Sequence, residues 1–159
     1  MTPAASTVED FLAAPKLVPV DANMSWRTRN VHIRHCRLRV ESAGLRVGEL
    51  FLVYNVAEAR HWSFKLLRVS SEVLRWDYAT PPMRHRNPSA CGPDFPAVVR
   101  TLEHEHIWTE MAGMNCARPL SDGAGQDHRQ SLMAFCARAK IEFKAHYQAP
   151  PPLGEQLTL

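Results

Sequence analysis

A chain of 159 residues, 45% hydrophobic and 22% charged with a net charge of +3, fits one domain large enough to bury a core without metal or disulfide staples. No apolar run reaches the length of a bilayer span, so insertion through a helix is excluded. Met1 to Leu12 has no Lys or Arg and carries Glu9 and Asp10, the wrong charge pattern for a secretory signal, and the expected location is the cytoplasm.

Residues 1–24 read as an N-terminal extension. Ser6-Thr7 can cap a short helix through Asp10, and Pro15 and Pro19 then force an extended connector. A single domain is expected over 25–148, beginning near Trp26. From Trp26 to Val40 the chain holds Arg27, Arg29, Arg34, Arg37 and Arg39 with His32 and His35 and no acid. Such a strip can meet phosphates, and it can equally be a solvated face. Val31 and Ile33 share one parity while Cys36, Leu38 and Val40 share the other, which predicts a bulge or bend near Arg34.

Ser42-Ala43-Gly44 turns the chain into Leu50 to Tyr54, a continuous apolar run that predicts a central strand. Trp62, Phe64 and Leu66 alternate with polar positions in the next strand, and Ser70-Ser71 turns it into Val73 to Tyr78. There Leu74, Trp76 and Tyr78 share one side, leaving Arg75 and Asp77 opposite as an ion pair or part of a site. Five prolines between Ala79 and Pro96 predict a loop, which carries His85. Asp127 with Gln130 forms a capping-box pattern ahead of Leu132, Phe135, Cys136, Ala139 and Phe143 at helical spacing. Pro150-Pro151-Pro152 stops that helix, and 149–159 is expected as a flexible tail. The sum is an α+β fold, a curved antiparallel meander packed on one long C-terminal helix, with a small barrel as the competing picture.

The chemistry concentrates in Ala97 to Glu110, where strand parity puts His104, His106, Trp108 and Glu110 on one face. With His85 from the loop, two enzymatic readings arise. In one, no cofactor is needed: one imidazole takes a proton from a ribose hydroxyl and another protonates the leaving oxygen, as a ribonuclease requires. Arg86 or Arg100 would steady the phosphate and Trp108 would stack a base. In the other, His104, His106 and either His85 or Glu110 hold a divalent metal such as zinc, with water in the remaining position. The bland reading makes His104 and His106 a hydrogen-bonded polar cluster with no chemistry. Cys36, Cys91, Cys116 and Cys136 show neither C-x-x-C nor a paired rhythm, so reduced, packed thiols are expected.

Leu74-Arg75-Trp76-Asp77, His85-Arg86-Asn87-Pro88, His104-x-His106-Ile107-Trp108-Thr109-Glu110, Gly113 and Ala117-x-Pro119-Leu120 occur in an order that resembles an uncharacterised family of small bacterial proteins common on prophages and other mobile elements. The likeness covers about half the chain, from Glu72 to Phe143, and Met114 to Arg118 departs from its pattern. It implies a phage–host-conflict setting, such as a toxin–antitoxin pair or an anti-defence factor, and transfers no catalytic assignment. The expected function is therefore a cytoplasmic protein acting on RNA, a ribonuclease toxin using His104 and His106 as acid and base, with an antitoxin as protein partner. The alternative is a non-catalytic, anti-CRISPR-like inhibitor that binds a host nucleoprotein complex, using Arg34 and Arg37 or the proline-rich loop.

Overall fold

A computed structural model describes residues 5–57, 61–120, 127–152 and 154. In chain order the elements are α1 (Ala5–Ala13), β1 (Lys16–Val18), β2 (Arg27–Thr28), β3 (Ile33–Ser42), β4 (Leu45–Asn55), β5 (His61–Arg68), β6 (Ser71–Ala79) and β7 (Arg84–Arg86). A 3-10 turn at Ser89–Cys91, β8 (Val98–Arg100), β9 (Glu103–Thr109), β10 (Gly113–Pro119), α2 (His128–Arg138) and β11 (Ile141–Phe143) follow.

The main sheet runs β10-β9-β6-β5-β4-β3-β1-β11, with β2 also on β3, and β7 pairs with β8 as a separate ribbon. All pairs are antiparallel except β1 with β11. The fold is thus α+β, a curved, mostly antiparallel meander against a C-terminal helix, as the alternation in the sequence predicts. Register shifts at Val40/Glu41, Leu66/Leu67 and Gly113/Cys116 add the extra residues by which a pleated sheet bends. No helix among the described residues is long and apolar enough to cross a membrane.

One face of the sheet meets α2. Cys36, Leu38 and Val40 of β3, Leu50 and Leu52 of β4, and Trp62, Phe64 and Leu66 of β5 are buried with Leu132, Phe135 and Cys136 of the helix. Alternate residues can do this because successive strand side chains point to opposite faces. Asp127 caps α2 through the predicted capping box with Gln130. The helix ends at Arg138, earlier than the apolar spacing suggests, because Lys140 takes a left-handed backbone with φ of 53°. Ile141 to Phe143 then forms a strand, so Phe143 is not on the helix.

Three further expectations change. The N-terminal segment is no appendage: β1 lies between β3 and β11, and Val8 and Val18 are buried. Lys16 locks it in place, its Nζ donating to the carbonyls of Phe11 at 2.6 Å and Ala14 at 2.7 Å, where α1 ends with unpaired acceptors. No bulge forms at Arg34. Instead Arg34 itself takes the inward position, 4% exposed, with its Nη1 donating to the carbonyls of Asn30 and Val31, while Val31 stands in solvent. Finally, Cys91 and Cys116 are joined in a disulfide, whereas Cys36 and Cys136 are buried free thiols. Burial pushes both free thiols up to about 12, which makes them poor nucleophiles. The expected tail, 149–159, falls mostly outside the described residues.

Candidate functional site

The side of the sheet opposite α2 carries a polar line that crosses β5, β6 and β9. Asp77 of β6 lies opposite His104 of β9, and Arg75 opposite His106; Ser63 of β5 lies beside Asp77 and Lys65 beside Arg75. Parity that sends Leu74, Trp76 and Tyr78 toward the other face therefore delivers Asp77 and both histidines to one place. Asp77 Oδ2 is 3.5 Å from His104 Nε2 and 3.5 Å from His106 Nε2. Arg75 Nε approaches the same oxygen at 2.8 Å, and its Nη1 holds Glu72 at 3.0 Å.

His85 closes the cluster from above. Its ring centroid is 4.7 Å from that of His106 and 6.2 Å from that of His104. On the β7/β8 ribbon, His85 faces Val99; Val99 is buried and His85 half-buried, whereas Arg84, Arg86 and Arg100 are exposed. The ribbon thus has an inner side of imidazole and valine and an outer side of arginines, and those three arginines make no ion pair among the described residues.

Two of the three histidines, His106 and His85, are oriented by backbone carbonyls. His106 Nδ1 lies 3.0 Å from Met114 O, and His85 Nε2 lies 2.9 Å from Asn115 O. A neutral imidazole donates from one nitrogen, so each contact leaves the other nitrogen as an acceptor. Burial, aided by the positive charge of Arg75, pushes His106 down to about 4, with Asp77 and the Met114 carbonyl working against the shift. Burial acts to raise the Asp77 carboxyl. The hydrogen bond to His104 and the charge of Arg75, with Ser63, outweigh it and hold the group well below the usual carboxylate range. The centre is therefore an ionised carboxylate beside a neutral His106.

Asn87 fixes the ribbon over this centre. Its Oδ1 accepts from Ala117 N at 2.7 Å, and its Nδ2 donates to Ala117 O and to Pro96 O, both at 2.6 Å. The side chain stands in for a strand partner along β10, a role beyond that of turn former. The Cys91–Cys116 disulfide makes a second tie from the 3-10 turn to β10. Closing a loop across a separation of 25 residues is worth about 2–4 kcal/mol. Reduction should therefore lower the denaturation free energy by that amount and raise the thiols reactive in denaturant from two to four, both measurable with a thiol reagent and a urea titration.

Among the expected site residues, His85, His104 and His106 come together. Glu110 does not: it sits beyond the end of β9, exposed at the turn. Trp108 is partly buried against the core. Arg34 is buried and internally bonded, and Arg37 pairs with Glu49 while its guanidinium lies 4.1 Å over the Phe51 ring. His104 and His106 are 5% and 2% exposed, so a ribose cannot touch both without displacing the ribbon. Asp77, read in the sequence as an ion-pair partner for Arg75 or part of a site, proves central through its register with His104. Compared with known proteins, the chain matches no family model, no curated protein and no solved structure.

Proposed function

We propose that the protein acts on RNA as a ribonuclease, with His85 as the imidazole that meets the ribose and Arg84, Arg86 and Arg100 holding the phosphate chain. The observation that carries this reading is the two-sided β7/β8 ribbon, which places exposed arginines and a half-buried imidazole within one three-residue strand and its partner. Guanidinium groups grip phosphoryl oxygens at two points, and none of these three is paired with an acid among the described residues. The direct acid–base use of His104 and His106 gives way to a supporting one, because both rings are sealed beneath His85.

In the reaction, His85 takes the proton of a ribose 2′-hydroxyl as its oxygen attacks the adjacent phosphorus. The bond from phosphorus to the 5′-oxygen breaks, and a proton is returned to that oxygen, leaving a 2′,3′-cyclic phosphate and a 5′-hydroxyl. Loss of such an acid–base group costs roughly 10²–10⁴-fold in rate. Purified protein given single-stranded RNA should yield these ends, and His85→Ala should slow cleavage by that factor while thermal unfolding stays cooperative. Undiminished cleavage by the variant removes His85 from the chemistry, and an inert wild-type protein removes the ribonuclease reading.

The same arginines favour a second reading, a non-catalytic inhibitor that occupies a host nucleoprotein complex. Charge reversal at Arg84 and Arg100 would then abolish the complex while His85→Ala leaves it intact. Arg34 and Arg37, already engaged within the chain, are replaced in this role by the ribbon. The mobile-element setting, the antitoxin partner and the cytoplasmic location rest on sequence features alone. A disulfide persists mainly in oxidising compartments, so the state of Cys91 and Cys116 in protein drawn from cells reports directly on the location.

A further inference from the structure

We infer that Asp77, His104 and His106 form the binding site of one divalent transition-metal ion of the zinc class, set on the inner floor of the histidine cluster. The inference goes beyond the RNA reading and stands without it. One ligand atom from each of the three residues lies within 4.8 Å of the other two. The two separations from Asp77 Oδ2, both 3.5 Å, are close to the edge of a tetrahedron with metal–ligand bonds of about 2.0–2.2 Å, roughly 3.3–3.6 Å. Both imidazoles already stand at ligand spacing from the carboxylate oxygen.

The outer contact of His106 fits as well. His106 places Nδ1 on the Met114 carbonyl, the arrangement that fixes a ligating imidazole with its Nε2 lone pair turned to the metal. His104 and His106 are two apart on one strand and Asp77 faces His104 in register, so the backbone sheet, and no mobile loop, sets the geometry. Arg75 competes for Asp77 Oδ2, but it also holds Glu72 and keeps that partner when the ion takes the carboxylate. Two imidazoles and one carboxylate favour zinc, cobalt or nickel over calcium or magnesium, which require oxygen-rich shells. Water or His85, whose ring lies 4.7 Å from that of His106, completes the coordination.

The test uses the full chain stripped of metal with chelator and then titrated with Zn²⁺ by calorimetry and with Co²⁺ by visible absorption. The expected result is one ion per chain, intense tetrahedral Co²⁺ bands and a higher unfolding temperature, with at least tenfold weaker binding in Asp77→Asn and His106→Gln. Absence of saturable binding at one ion per chain overturns the site, as does undiminished affinity in a folded Asp77→Asn chain. Should either variant fail to fold, histidine NMR of the wild-type chain decides: Zn²⁺ must shift the His104 and His106 ring signals and leave His128 unmoved, and any other pattern refutes the assignment. RNA cleavage is scored separately. Metal binding without cleavage retires the ribonuclease and keeps the ion, whereas cleavage by a chain that binds no metal does the reverse.

Discussion

Replacing Glu105 by alanine should destabilise the fold by about 1.5–3 kcal/mol, the cost of losing hydrogen bonds to a buried charged group. Glu105 is 1% exposed at the point where four elements meet. Its Oε1 accepts from Trp76 Nε1 of β6 at 3.2 Å and lies 2.8 Å from Arg138 Nε in the last turn of α2. Its Oε2 receives both Nε and Nη2 of Arg118 from β10, each at 2.9 Å. Loss of the carboxylate strips a partner from two guanidiniums and an indole at once and leaves a void beneath Trp76, which packs edge-on to Phe135 with centroids 5.6 Å apart. Arg118→Ala and Arg138→Ala should each cost much less, since both side chains are over a third exposed and water already shares their solvation. Urea denaturation of the three variants checks the order. A Glu105→Ala chain within about 1 kcal/mol of wild type would show that the carboxylate does not anchor the helix.

Acid should destabilise the protein through His128. The ring is 8% exposed and lies 5.1–5.7 Å, centroid to centroid, from Trp26, Tyr54, Trp62 and Phe64. Its Nδ1 is 2.7 Å from the Tyr147 hydroxyl, while Nε2 has no polar partner among the described residues. Burial pushes His128 down to about 4, with Asp127 acting weakly the other way, and Arg129 sits over the far Tyr147 ring. Above pH 6.5 the imidazole is neutral in both folded and unfolded chains and has no effect. As pH falls from there toward 4, the unfolded chain binds the proton and the folded one resists it, so stability declines and levels off below pH 4, a loss on the order of 3 kcal/mol. His106 titrates in the same direction, so the contribution of His128 is the difference between wild type and His128→Phe. That variant loses the Tyr147 bond at every pH and should show a shallower decline between pH 6.5 and 4. Parallel curves would mean that the aromatic faces hold an imidazolium as well as water does.

Periodicity determined the meander's central strands and the capped helix. Unbroken apolarity in Leu50 to Tyr54, alternation through Trp62 to Tyr78 and the Asp127/Gln130 cap are local signals, and each produced the element it predicts because side-chain parity and helix capping act over a few residues. The same parity put His104 and His106 on one face. What only the tertiary structure decided depends on pairing between distant strands: Asp77 opposite His104, His85 folded over His106 by Asn87, the Cys91–Cys116 bridge and the three-way hold on Glu105. Arg34 shows the reason most clearly. A charged residue reads as exposed in any short window, yet the carbonyls of Asn30 and Val31 accept from its Nη1 in a buried position, and no window of sequence contains the register that places β3 against β4.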